Sequence, residues 1–434
     1  MTALAFSLLL CGAGFARAAD LGLQARSALE KATAYLQSIA TNGGYVGIYS
    51  LDLQQRYGES LYESARPGEI WVQPPGTPSV GKVFLRAYRA TGDERYLTAA
   101  RAAGFALAWG QRRTGGWDHR VDVSALIAEA PPPRPDGRCT LDDRITQGAL
   151  SFLMDLDDAV DEDWLTEAVD LGLHFMLASQ YENGGWPQWY PLRGGYHDHH
   201  TFNDNTINDC IAVLLEAHRR YGRKEHLQGA RRGGDFIILS QRPPPQAGWA
   251  QQYDQDLQPA WARKFEPPAI CSAVTARNIR TLVDLYKYTG DDKYLQPIPA
   301  AITWLENAQL EPDLWARLYE VGSNRPIYGD RDGQIHYDYY ELSEERRKGY
   351  AWRGSFGVAR ALQRYHQAKA VSAESALDAQ PASTGPAPSL VARIEEIIQS
   401  QDAQGRWVGE KLYIRDFVRN MNALCAYLEQ LNPN

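Results

Sequence analysis

Residues 183–222 read NGGWPQWYPLRGGYHDHHTFNDNTINDCIAVLLEAHRRYG. The second half is helical: from Thr206 the apolar residues recur at three- and four-residue steps and stop at a glycine. The first half opens on a Gly-Gly-Trp turn, in which a glycine takes positive φ at a helix exit and the aromatic folds back. This pairing recurs. Asn42-Gly43-Gly44-Tyr45 and Thr114-Gly115-Gly116-Trp117 repeat it closely; Ala247-Gly248-Trp249, Leu314-Trp315 and Gln404-Gly405-Arg406-Trp407 repeat it loosely. The aromatic positions 45, 117, 186, 249, 315 and 407 are separated by 72, 69, 63, 66 and 92 residues. The last step contains an Ala/Ser/Pro-rich run, 368–388, and without those 21 residues it is 71. A unit of about 70 residues holds two helices and a long loop. Six such units around one core predict an all-α chain closed into an (α/α) toroid. In structural terms alone, the Gly-Gly-aromatic elements are helix C-caps with hydrophobic anchors.

Working outward, 25–40, 80–92, 165–180 and 276–290 carry the same helical periodicity, and alternating strand patterns are few and short. Segments 389–400 and 412–431 are amphipathic and supply the closing hairpin. The run 368–388 reads as a flexible surface insert within one catalytic domain spanning 19–434. Residues 3–15, ALAFSLLLCGAGF, are apolar but too short to span a bilayer, and Ala16-Arg17-Ala18 offers a cleavage site. A signal peptide over 1–18 and an exported protein, periplasmic or extracellular, are therefore expected.

Composition narrows the function. With 44% hydrophobic and 23% charged residues, a chain disordered throughout, a collagen and a coiled coil are excluded. The net charge of -8 is a poor match to nucleic acid or an anionic membrane surface. An anionic substrate would need a local basic patch or a metal. The 12 Trp and 24 Tyr suit stacking on sugar faces as well as core packing. After signal removal Cys139, Cys210, Cys271 and Cys425 remain; sequence does not fix their pairing, and buried free thiols are the preferred reading. A monomer is expected.

Polar residues gather in four places: 139–147, 184–205, 262–268, and 324–333 with 346–350. Asp142 and Asp204 each precede a helix and could be N-caps. His197, His199 and His200 lack the spacing of helical zinc ligands. Asp142, Asp143 and Asp204 offer hard oxygen donors suited to calcium, outside any EF-hand pattern. Arg263, Arg331, Arg346 and Arg347 offer forks suited to carboxylates, though charge runs are commonly solvated surface. Calcium ligands, arginines and aromatics together point to a polyanionic sugar.

The stretch 183–217, with ARKFEPPAI and NRPIYGDRDG, resembles the family 10 polysaccharide lyases, which are pectate lyases. The resemblance implies the toroid and calcium-dependent β-elimination of polygalacturonate to 4,5-unsaturated oligogalacturonates. It implies Asp142 and Asp204 as calcium ligands and Arg263 as the base that takes the C5 proton. Arg331 and Arg347 would bind substrate, with Arg346 competing for the latter place. Asp143, where relatives carry an amide, and Trp186 are further substrate-binding candidates. Lys264, calcium and nearby arginines are expected to depress the Arg263 pKa. Two alternatives remain: an inverting glycoside hydrolase using Asp204 and Glu266, or a non-catalytic uronate-binding protein.

Overall fold

A computed structural model describes residues 2–127, 130–370 and 387–431. Most of the insert, 371–386, lies outside the described residues. The helices form six successive pairs. They are α1 (Thr2–Ile39) with α2 (Thr77–Thr91), α3 (Glu94–Gly110) with α4 (Ile145–Asp157), and α5 (Asp163–Ala178) with α6 (Thr206–Tyr221). Next come α7 (Lys224–Leu239) with α8 (Ser272–Thr289). The fifth pair is α9 (Ile298–Asn307) with α11 (Val358–Ala370), the short α10 (Glu344–Gly349) lying in the loop between them, and the sixth is α12 (Pro388–Gln399) with α13 (Ile414–Leu431). The second helix of each pair lines the inside: α13 packs on α2, α2 on α4, α4 on α6, α6 on α8 and α8 on α11. The first helices stand outside, α1 beside α12, α3 beside α5 and α5 beside α7. This is an (α/α) toroid. Leu21, Ala25, Ala28, Leu29, Ala32 and Leu36 bury one stripe of α1, all beyond the candidate cleavage site.

The repeated aromatic has one job in five of the six units. Trp117, Trp186, Trp315 and Trp407 donate their indole N–H to the carbonyl ten residues upstream, those of Leu107, Met176, Leu305 and Ile397, at 2.8, 2.9, 2.8 and 2.9 Å. Trp249 reaches Ile237 at 2.6 Å. Each tryptophan thereby satisfies a carbonyl near the end of the preceding outer helix and fills the core behind it. The cap-and-anchor reading of these turns holds, and it removes Trp186 as a substrate contact: the residue is 0% exposed.

A second repeat was not read from the sequence. Gln111 donates its side-chain amide to the Gly115 and Ala168 carbonyls, at 2.7 and 2.9 Å. Gln180 does the same to Gly184 and Gly229, and Gln241 to Ala247 and Pro297. Gln401 bonds Gly405 and, across the closure, Ala28 of α1 at 2.9 Å. The turn glycines sit against the same neighbours. Gly184, at φ 96°, has its would-be Cβ 2.0 Å from the Arg232 carbonyl on α7. That of Gly405 lies 2.4 Å from the Lys31 carbonyl on α1. No side chain fits at either place.

Short antiparallel strands stitch the inter-helix loops together around one face. Glu69–Trp71 pairs with Arg120–Asp122, Cys139–Thr140 with Trp189–Tyr190, and His200–Thr201 with Gln252–Tyr253. Ala269–Cys271 joins Leu318–Glu320 within a four-stranded sheet, and Ile48–Tyr49 meets Leu412–Tyr413 to close the ring. Cys139, Cys210, Cys271 and Cys425 are buried free thiols.

Gln401→Leu should cost about 1–3 kcal/mol, because two carbonyls at the ring closure lose their donor. Trp186→Ala should cost about 3–5 kcal/mol through the cavity it leaves. Urea unfolding of each variant, with an unchanged m-value, checks both. A Trp186→Ala protein as stable as wild type would return Trp186 to the surface.

Candidate active site

The stitched loops converge over the N-terminal ends of the inner helices. Leu141 and Phe202 hold equivalent places there: their amides bond Gln188 and Gln251, each two residues beyond a repeat tryptophan. The equivalence carries on along the chain, pairing Asp142 with Asn203 and Asp143 with Asp204. Both segments then turn through two successive left-handed residues, Asp143-Arg144 at φ 51° and 59° and Asp204-Asn205 at 48° and 66°. Four non-glycine residues in that region are strained, about 1–3 kcal/mol each, and such strain clusters at functional sites. The turns aim carboxylates away from the helices. The helix N-cap residues are Arg144 and Asn205, and neither side chain caps; the N-cap reading of Asp142 and Asp204 does not hold.

Asp142, Asp143 and Asp204 bring carboxylate oxygens within 4.8 Å of one another, the only such acidic, histidine or cysteine group among the described residues. Burial, then Asp204 and Asp143, push the Asp142 carboxyl well above its ordinary range. Burial, then Asp204 and Glu59, push Asp143 up to about 6. Asp204 is raised by burial against the pull of Arg263, even though part of the residue reaches solvent. Three mutually repelling hard donors form the setting that a divalent cation relieves. Sequence reasoning gave Asp143 to the substrate; here its carboxylate belongs to the cluster, steered by a 3.1 Å bond from the Gln73 amide, which also donates to Glu59 at 2.8 Å.

A chain of hydrogen bonds leads from the cluster to Arg263. Asn203 donates to Asp204 at 2.9 Å, and Gln251 donates to Asn203 at 2.8 Å and to the Tyr350 hydroxyl at 3.1 Å. Tyr350 donates to Glu266 at 3.2 Å, and Glu266 accepts both Nε and Nη2 of Arg263 at 2.8 and 2.5 Å. Arg263 stays 45% exposed while Glu266 is 1% exposed. The fork overcomes the desolvation of Arg263 and raises its pKa, opposite to the depression expected from its cationic neighbours.

Phe265 gathers the arginines. The guanidinium carbons of Arg263, Arg346 and Arg331 stand 4.8, 4.5 and 5.9 Å from its ring centroid. Glu345 bonds Arg331 and Arg346 together. Arg347 instead bonds the Tyr340 carbonyl at 3.0 Å and stands outside this group. Position 346, not 347, supplies the third arginine; a six-residue helix rotates adjacent residues apart, and sequence alone does not give its phase. Two of the three histidines are otherwise engaged: His197 stacks on Trp189 at 3.3 Å between centroids, and His200 is buried among Tyr181 and Phe236. Trp261, 41% exposed and two residues before Arg263, is an aromatic the sequence reading passed over.

A family model described as pectic acid lyase matches residues 111–312 and 309–360. Among solved structures, a mutant family 10 polysaccharide lyase from Cellvibrio cellulosa in complex with trigalacturonic acid is 23% identical, with a TM-score of 0.53 over 67% of this chain and 98% of that one. A family 10 polysaccharide lyase from the same organism is also 23% identical, with a TM-score of 0.52 over 68% and 97%. At that identity the two share the fold with this chain. No curated protein matches.

The acidic cluster makes a prediction for metal-free protein. Asp143 titrates near 3.8 when unfolded and about 6 when folded, so its ionisation opposes folding. Its contribution is intact below pH ~4 and is lost as pH rises through about 6. Asp143→Asn should therefore stabilise chelated protein at pH 8 by on the order of 1–2 kcal/mol, and little at pH 4. Denaturant titrations at the two pH values, with chelator, check this; an equal effect at both would be the wrong sign of coupling.

Proposed function

The chain belongs to the pectic acid lyase family and is a polysaccharide lyase, and we propose that it cleaves polygalacturonate by calcium-dependent β-elimination. The observation that carries this reading is the three-aspartate cluster joined by hydrogen bonds to an arginine beside three cation–π contacts. A galacturonate carboxylate cannot approach three carboxylates unaided. The donor set fits calcium: Asp142, Asp143 and Asp204 would hold it, leaving places for water and substrate oxygens. Such an ion, when bound, neutralises the uronate carboxylate and makes the C5 proton more acidic.

The protein's own residues then divide the work. Arg331, 64% exposed, turns its guanidinium to a uronate carboxylate beside Phe265, buried Arg346 backs it through Glu345, and Trp261 offers a face to a sugar ring. Arg263 receives the C5 proton as the C4–C5 double bond forms and the C4–O bond breaks, the leaving oxygen taking a proton from solvent. Arg263 must enter this step neutral. Its pairing with Glu266 makes that form scarce, and an alkaline optimum follows. Glu266, buried and bonded to both Arg263 and Tyr350, orients the guanidinium, which loses its proton to solvent at alkaline pH. The same pairing counts against the inverting hydrolase, because Glu266 is not free to protonate a glycosidic oxygen. The apolar run 3–15 with Ala16-Arg17-Ala18 supports export, and no described helix is long and apolar enough to cross a membrane.

Incubation with polygalacturonate should give ultraviolet-absorbing unsaturated products, and chelator should abolish them. New reducing ends without that absorbance would make the enzyme a hydrolase, and neither signal would make it a binding protein. Arg263→Lys should lose at least tenfold in kcat, ~1.4 kcal/mol of barrier or more, with little change in KM. Tyr350→Phe should lose about tenfold in kcat by freeing Glu266 from its hydroxyl. If Arg263→Lys retained most of its kcat, Arg263 could not be the base.

A further inference from the structure

Past the acidic cluster, the inner helices enclose a lumen of about 610 Å³. It shares no residue with the cluster or the Phe265 group. Its lining runs from Asn208 and Arg277, in the first two turns of α6 and α8, to Arg219 and Tyr288 in their last turns. Six cations line it: Lys82, Arg219, Arg277, Arg280, Arg360 and Arg364. Only Glu216 and Asp284 oppose them among the lining residues.

The pairings are uneven around the wall. On the α2–α4–α6 side all but Arg219 are paired: Lys82 bonds Asp155 at 3.1 Å and Ser151 at 2.7 Å, and Arg220 holds Glu216 at 2.8 Å. On the α8–α11 side they do not. Arg364 pairs with Asp284, and Arg277 pairs at 2.9 Å with Asp209. Arg280 and Arg360 make no hydrogen bond or ion pair among the described residues, and neither does Arg219. Four arginines thus share one wall of a confined space with two carboxylates. At neutral pH a guanidinium keeps its proton, so such a cluster is stable only when solvent or an anion compensates it. Burial together with Arg277, Arg360 and Arg364 lowers the Arg280 pKa below its ordinary value, as uncompensated positive neighbours do.

We propose that the lumen is a binding site for a small oxyanion, held by the forks of Arg280, Arg360 and Arg277. The volume admits a phosphate or a single sugar acid and excludes a polymer. The proposal is independent of the lyase reading, and its test uses chelated full-length protein so that the acidic cluster is silent. Inorganic phosphate is titrated calorimetrically at fixed ionic strength, with chloride as the balancing anion, and galacturonate is titrated in parallel. Saturable one-site binding is expected, weakened at least tenfold in Arg280→Gln and in Arg360→Gln and retained in Asp204→Ala. Arg360 is exposed on α11, so the second variant remains informative if the first fails to fold. Galacturonate binding lost in the same variants would name a product acid as the occupant, and phosphate binding alone would name phosphate. No saturable binding to wild type, or binding unchanged in both arginine variants, would overturn the site.

Discussion

In four of the six units one side-chain amide ties the ring together. A glutamine following the outer helix donates one N–H to its own turn and the other to the next outer helix, and Gln401 applies the same device across the joint between first and last units. Helices of 10–18 residues are marginal alone and depend on packing. Packing by apolar side chains is tolerant of sliding, whereas two directed bonds to backbone carbonyls are not. The tryptophan behind each turn fixes depth and the glutamine fixes the angle to the neighbour. With both set, the loops reach the same height on every unit, and the short strands can pair around the ring.

The site is a consequence of that repetition. Asp143 and Asp204 converge because two adjacent units present equivalent turns, each held by an amide bond to the carbonyl of the residue two past a tryptophan. Equivalent positions elsewhere carry other residues: Val72, Gln73 and Pro74 hold them in the loop ahead of α2. Function was therefore obtained by choosing side chains at repeated positions, and the left-handed turns are retained where those side chains must project inward. The macrodipoles of α4 and α6 also present their positive ends to the carboxylates, which offsets part of the repulsion among them.

The helices and their period were legible because amphipathic spacing and Gly-Gly-aromatic turns are local signals. Leu165–Met176 and Thr206–Tyr221 fold as their spacing requires. The glutamine ties were equally regular, at 111, 180, 241 and 401, but a polar residue in a loop carries no sequence mark of its long-range partner. The aspartates were found through a family-like motif. Their mutual geometry was not: donor chemistry grouped Asp143 with Asp142 and Asp204, whereas the family resemblance gave it to the substrate. Arg346 and Arg347 differ by a helical rotation of one residue, which only the packing of Arg346 on Phe265 resolves. The relay Asn203-Gln251-Tyr350-Glu266 joins residues up to 147 apart, and no periodicity encodes it.

One buried carboxylate, belonging to neither, stands between the acidic cluster and the basic lumen. Asp209, buried on α6, holds Arg277 of the lumen wall at 2.9 Å and Arg144 at 3.3 Å. Arg144 is the left-handed neighbour of Asp143. Burial raises the Asp209 pKa while the two arginines lower it, so its charge depends on both contacts. Asp209 thus lies between the Asp143 turn and the lumen wall and is joined to each by one ion pair. In a ring whose backbone is tied by directed bonds, that buried carboxylate has a fixed place, and both arginines are oriented by it.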